Sequence, residues 1–285
     1  MKTKLLSTAV AALGLLSVLV SLPVRPVAHA QGYSSYPSYP ARDFVPPIVF
    51  QAAGPTASSI QNTVAAYRTA LGGLNTTIPS EPFTSGRREI GWDGGGSLAT
   101  TVSVNPLADF QSSRGALFTT PDGSGFVQAT PDGLASQFNN PTYSAIFTAF
   151  SPKRLFSAIG SNITDVSFFV PVAPGGSNIP ATVTGFGSVF TDVDQPHGNG
   201  IKHGNRKAST LIEYYGTYGE LLFSSFVPAS QGDGSLSFLG IVFPDARIAR
   251  VRITSGNVAP GPDDRGNQDV VMMDDFIYGE PQRLP

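Results

Sequence analysis

Asp274 and Asp275 stand side by side in "VVMMDDFIYGEP", a run that otherwise reads as a buried strand. Neighbouring strand residues point to opposite faces, so one of the two carboxylates should point where its apolar neighbours point. A carboxylate facing a core needs a partner, because an unpaired buried charge is very costly. Water at a frayed end, an arginine or a cation would each satisfy it. Phe276, Ile277 and Tyr278 continue the apolar strand beyond the acids, which argues against fraying. The stretch "GRREIGWDGGG", residues 86–96, carries the complementary chemistry. If the first and last strands are neighbours, Arg87 and Arg88 offer a bidentate fork for one acid. The same stretch also brings Glu89 and Asp93 to the seam, and clustered carboxylates are the oxygen-rich surroundings calcium prefers. The expectation is a structural Ca2+ held by Asp274 or Asp275 with Asp93 or Glu89. An arginine pair is the competing answer.

Trp92 is the only tryptophan, preceded by Arg87, Arg88 and Glu89 and followed by Asp93. Apolar sugar faces pack on aromatic surfaces, so Trp92 with Arg87 and Arg88 is a candidate glycan-binding group. The alternative is a tryptophan that plugs the end of the core. Beyond the N-terminal leader the histidines are His197 and His203, both in "DVDQPHGNGIKHGNRKAST", which reads as an exposed loop. A zinc site from these two with Asp192 or Asp194 lacks the helical His spacing that would frame it. The run from Asp192 departs from an EF-hand at Pro196. No G-x-S-x-G elbow is present, which argues against a serine hydrolase. A glycosidase needs only two carboxylates at a set separation. Glu89, Asp93, Glu213 and Glu220 qualify by type, although the last two flank a hairpin turn.

The elements that must position these groups are mostly strands. The chain of 285 residues holds 31 Gly and 24 Pro, with only 13% charged residues. Short apolar segments broken by Gly, Pro, Asn and Asp indicate an all-β fold, an antiparallel β-sandwich of jelly-roll type. Strands are expected at 116–120, 125–130, 144–150, 164–171, 181–191, 209–215, 220–227, 236–243, 247–254 and 269–278. T-P-D-G occurs twice and reads as two tight turns. In "RIARVRIT", Ala249, Val251 and Ile253 alternate with Arg250 and Arg252, a half-buried strand with a basic outer face. One short amphipathic helix is expected near 58–72, with Ile60, Val64, Tyr67 and Leu71 on one face and Ser58–Gln61 as a capping box.

Residues 1–30 carry Lys2 and Lys4, an apolar run and Ala28-His29-Ala30, the pattern of a cleaved secretory signal peptide. Residues 31–47 form a Tyr/Pro/Ser leader, followed by a single domain at 48–285. Without the signal the balance is 15 basic against 20 acidic residues, a formal charge of −5. That acidity argues against nucleic acid as a partner. With 0 Cys, disulfides and thiolate chemistry are excluded.

"FQAAG", "GRREIGWDGGG", "VTGFGSVFTDVD", "SFLGIVF", "RIARVRITSG" and "VVMMDDFIYGEP" together resemble a group of uncharacterised secreted bacterial proteins related to PEP-CTERM-sorted proteins. The chain departs from the sorted members by ending "GEPQRLP". More loosely, it looks like jelly-roll carbohydrate-binding modules, which implies first and last strands side by side and a shared structural calcium. The resulting expectation is a secreted or extracellular, non-catalytic β-sandwich that binds glycan or matrix polymer, with no transmembrane span after signal cleavage. An extracellular polysaccharide hydrolase and a structural envelope protein are the alternatives.

Overall fold

Backbone polar groups must be paired wherever the chain is buried, and here most of that pairing is antiparallel β. The computed structural model describes residues 45–76, 83–94, 100–121, 123–172, 178–194, 210–263 and 268–284. Residues 1–30, expected to be a signal peptide, most of the expected Tyr/Pro/Ser leader, and the stretch with His197 and His203, expected to be a loop, lie outside these residues. In chain order the elements are β1 (Ile48–Gly54), α1 (Ala57–Ala70), β2 (Arg87–Ile90), β3 (Thr100–Val104), α2 (Gln111–Arg114), β4 (Ala116–Thr119) and β5 (Gly125–Ala129). Then come α3 (Pro131–Phe138), α4 (Tyr143–Ile146), β6 (Leu155–Ile159), β7 (Ile163–Phe168), β8 (Ala181–Thr182) and β9 (Gly185–Thr191). The last are β10 (Leu211–Tyr215), β11 (Leu221–Phe226), β12 (Leu236–Val242), β13 (Arg250–Thr254), β14 (Met272–Gly279) and β15 (Gln282–Arg283).

The larger sheet runs β1-β12-β9-β14-β6-β5-β3, with β2 also on β14; the second runs β11-β10-β13-β7-β4, and β15 pairs β8. The pairings between these strands are antiparallel. Both larger sheets feed one apolar core. Phe126, Phe156, Phe186 and Phe276 enter it from the first sheet, and Phe118, Val166, Tyr214 and Val251 from the second. The other face of the first sheet is covered twice. The stripe Ile60, Val64, Tyr67 and Leu71 of α1 packs on Val189, Phe238 and Ile277. Leu134 and Phe138 of α3, with Tyr143, pack on Val127, Leu155 and Met272.

Three local expectations are corrected. Thr56 is the N-cap of α1, so Ser58 lies inside the helix and caps nothing. The second T-P-D-G begins a helix: the Thr130 hydroxyl accepts from Gly133 N–H at 3.1 Å, and Pro131 sits at the first helical turn, where its missing N–H costs nothing. The expected strand at 144–150 instead begins with the helical turn α4. β1, β3 and β6 were not foreseen.

Tyr67 fixes how α1 sits on the sheet. Its ring lies against Gly240, where a Cβ would come within 2.8 Å of the ring, and Gly185 and Gly187 keep the neighbouring strand equally bare. Its hydroxyl donates to the carbonyls of Ile241 (3.3 Å) and Ile277 (3.4 Å). Gly240→Ala should therefore lift the helix and lower stability by about 1–3 kcal/mol, the usual cost of overpacking. A urea midpoint equal to that of the unsubstituted chain would contradict this docking.

Candidate functional site

β14 changes partner partway along one edge. Met273 pairs with Phe156 of β6, whereas Phe276 to Gly279 pair with Ile90 to Arg87 of β2. At the changeover Asp274 and Asp275 together oppose the single residue Val189 of β9, a β-bulge. The bulge adds a residue, so Met273, Phe276 and Tyr278 all reach the core between the sheets. Strict alternation, which would send the two acids to opposite faces, does not hold here. Both acids are buried and neither frays into water.

Asp274 ties down the segment that enters β6. Its Oδ2 accepts from Phe150 N–H (2.6 Å) and Ser151 N–H (3.2 Å), and the Ser151 hydroxyl lies 3.2 Å from Oδ1. Asp275 is held by Arg68 of α1, whose Nη2 donates to its Oδ2 at 3.1 Å and to Glu89 at 2.7 Å. Asp93 turns back after β2 and accepts from the N–H groups of Lys153 and Arg154. Glu89 also accepts from Arg87. Asp93 and Asp275 both face Gly91, where a Cβ would stand 3.2 Å from Asp275 Oδ1.

The four proposed calcium ligands thus gather at one seam, but most of their oxygens already accept from N–H groups and guanidiniums. Among the described residues no group of three His, Asp or Glu stands close enough to hold a metal ion. An arginine does reach these acids, from α1 rather than from β2, while Asp275 Oδ1 is buried with no hydrogen-bond partner among the described residues. Arg88 does not serve these acids. It makes a two-pronged pair with Glu280, Nε to Oε2 and Nη2 to Oε1, both at 2.8 Å. Glu280 also accepts from the Thr76 hydroxyl and from Phe83 N–H at 3.2 Å, and Arg88 donates to the Ser113 carbonyl. Arg68 and Glu280 were missed. Arg68 lies within the expected helix, and Glu280 just past the expected last strand, and neither was singled out.

Trp92 is 2% exposed and offers no ring face to a sugar. It stacks on Phe156 at 3.7 Å between centroids and meets Phe118 and Phe276 edge-on. Its Nε1 donates to the Asp274 carbonyl at 3.1 Å. The backbone takes φ of 62° there, a left-handed conformation uncommon for a bulky residue and held by burial of the ring. The sugar-stacking role expected of Trp92 and Arg88 gives way to a core role for both, while Arg87 spans Glu89 and the Gly73 carbonyl.

A second charged ensemble lies on the outer face of the second sheet. Register sets Glu213 beside Arg252 and Arg252 beside Asp165; in the next row Tyr215 is beside Arg250. Arg252 donates to Asp165 from Nε (2.9 Å) and Nη2 (2.7 Å), and Arg250 Nη1 adds a bond at 2.7 Å. The Arg250 guanidinium stacks 4.0 Å from the Tyr215 ring centroid. Both arginine side chains remain about a third exposed, at 33% and 35%. The alternation of "RIARVRIT" placed these arginines outward. Their partner Asp165 on β7 was not legible without the strand register. Glu220 closes the neighbouring hairpin, accepting from Tyr218 N–H at 2.9 Å. No protein-family model, curated protein or solved structure matches the chain.

Burial, and then the adjoining Asp275 carboxylate, push Asp274 well above its ordinary value of 3.8, against the pull of the Phe150 and Ser151 N–H donors. Asp275 is raised too, by burial, with Arg68 opposing. A raised folded-state value means the folded chain holds a proton the unfolded chain releases. The pair's contribution is therefore complete below the ordinary value and declines as pH rises through the folded-state value. Asp274→Asn mimics the protonated acid and keeps an acceptor for both N–H groups. It should match or exceed the unsubstituted chain at pH 7 and show a shallower loss of stability towards alkaline pH. Asp274→Ala strands those N–H groups and should cost about 1–3 kcal/mol. Denaturant melts from pH 4 to 8 check both, and an Asn variant as unstable as the Ala variant would refute the protonated state of Asp274.

Proposed function

We propose that the chain is an extracellular, non-catalytic β-sandwich of jelly-roll type that binds a glycan or matrix polymer on the outer face of its second sheet. The core shared by the two larger sheets supports the sandwich reading. The secretory pattern of residues 1–30 supports export, and no described helix is long and apolar enough to cross a membrane. The observation that carries the binding reading is the ladder Glu213–Arg252–Asp165 beside the Tyr215–Arg250 stack.

Sugars present an apolar C–H face and, at the ring edge, hydroxyls that both donate and accept. An aromatic ring backed by a planar guanidinium suits the first. Alternating carboxylates and guanidiniums, already oriented by one another, suit the second with little side-chain entropy left to lose. The strands beneath are rigid, so the ladder keeps its spacing when a ligand arrives. Glu213 and Asp165 also bear on the hydrolase alternative. They lie two strands apart, roughly 9–10 Å by strand spacing, but both Asp165 oxygens are engaged by arginine. A catalytic acid or base needs an oxygen free for the proton it transfers.

Glycan arrays and retention on bacterial exopolysaccharide test the reading. Tyr215→Ala and Arg252→Ala should each weaken retention about tenfold, equivalent to about 1.4 kcal/mol, with thermal midpoints near that of the unsubstituted chain. Trp92→Ala should instead destabilise by about 3–5 kcal/mol, as for a truncated core aromatic. Retention unaffected by the two sheet substitutions would remove this face as the site. Release of reducing sugar would bring the hydrolase forward, and no binding to any glycan would favour the structural envelope protein.

A further inference from the structure

An open sheet leaves backbone N–H and C=O groups unpaired along its outermost strands, and proteins protect such edges with charge, proline, bulges or covering segments. Most edges of this fold carry one of these devices. β1 is preceded directly by Pro46 and Pro47. β11 follows Glu220, and its pairing with β10 is interrupted by a register shift. The free side of β4 is bridged by Leu107 on Phe118, and that of β2 by Asn75 on Arg87.

Among the described residues, β3 has none of them. Its sequence, TTVSV, holds no charge and no proline, and it ends the larger sheet. Its register with β5 is unbroken across all five residues, so no bulge turns it aside. Val102 and Val104, on one face of the strand, are 56% and 75% exposed. Isolated exposed valines need no explanation. Two on a straight, neutral, β-branched edge make a surface suited to another strand.

We infer that β3 is a self-association edge, on which a second copy of this chain pairs antiparallel through its own β3 and continues the larger sheet across a twofold axis. The strand is complementary to itself. Antiparallel pairing centred on the middle residue sets Val102 against Val102 of the other copy and Thr100 against Val104. Apolar then meets apolar, β-branched meets β-branched, and no like charges are opposed. A partner of different chemistry would need a charge or pocket to select it, and TTVSV offers neither.

Sedimentation velocity of the purified protein over a wide concentration range tests this. The weight-average mass should rise from one chain to two. Val102→Lys and Val102→Glu should each weaken dimerisation at least tenfold, because each sets a charge against its own copy. The position is exposed, so both variants should keep the thermal midpoint of the unsubstituted chain. An equimolar mixture of the two should dimerise again, because lysine then faces glutamate across the axis. A chain that stays single at all concentrations, a dimer indifferent to either substitution, or a mixture that fails to recover would each overturn the inference.

Discussion

The first sheet depends on β14 satisfying its backbone while it passes from one neighbour to another. No single strand spans that edge, so the changeover has to be closed by side chains. Asp274 does for residues 150–151 what a strand's carbonyls would do, and Asp93 does the same for residues 153–154. The Trp92 indole takes up the Asp274 carbonyl. Further along the seam, Arg88 and Glu280 are entirely enclosed. Burying that pair is tolerable because its geometry is two-pronged and the leftover lone pairs and protons find Thr76, Phe83 and Ser113. These polar groups specify register: a slip of one residue would leave an arginine and a glutamate buried without each other.

The antiparallel β character was legible because it is written locally, in alternation and in Gly/Pro punctuation. The outward arginines of β13 follow from period two alone. Elements whose signal is set by tertiary context were not legible. The second T-P-D-G has the composition of a turn, yet Leu134 and Phe138 find an apolar sheet face to cover, and the helix forms. The seam posed its question in sequence but hid the answer. Arg68 is 207 residues from Asp275, and Arg88 is 192 from Glu280, separations over which no local pattern speaks. The bulge was invisible for a related reason, since one extra residue is defined only against the partner strand.

The two sheets put their outer faces to different uses. The first sheet covers itself with α1 on one side of the seam and α3 with α4 on the other, and even its acids are drawn into that cover. The second leaves its charges on strands with water above them. Asp165 is nearly covered there, but its two guanidinium partners stay about a third exposed, so the cost of desolvating the cluster falls mainly on the one carboxylate. The same kinds of residue thus serve as internal rivets on one sheet and as a surface pattern on the other. Burial decides which.

β14 lies between β9 on one edge and β6 with β2 on the other, yet it is among the last segments to be synthesised. Until it is made, the earlier strands that will flank it have no centre to join, and Arg68 has no Asp275 to hold. Folding must therefore wait for contacts of very long sequence separation, which slows collapse to the native sheet. The order of synthesis thus runs against the order of the sheet, whose centre is supplied after its flanks.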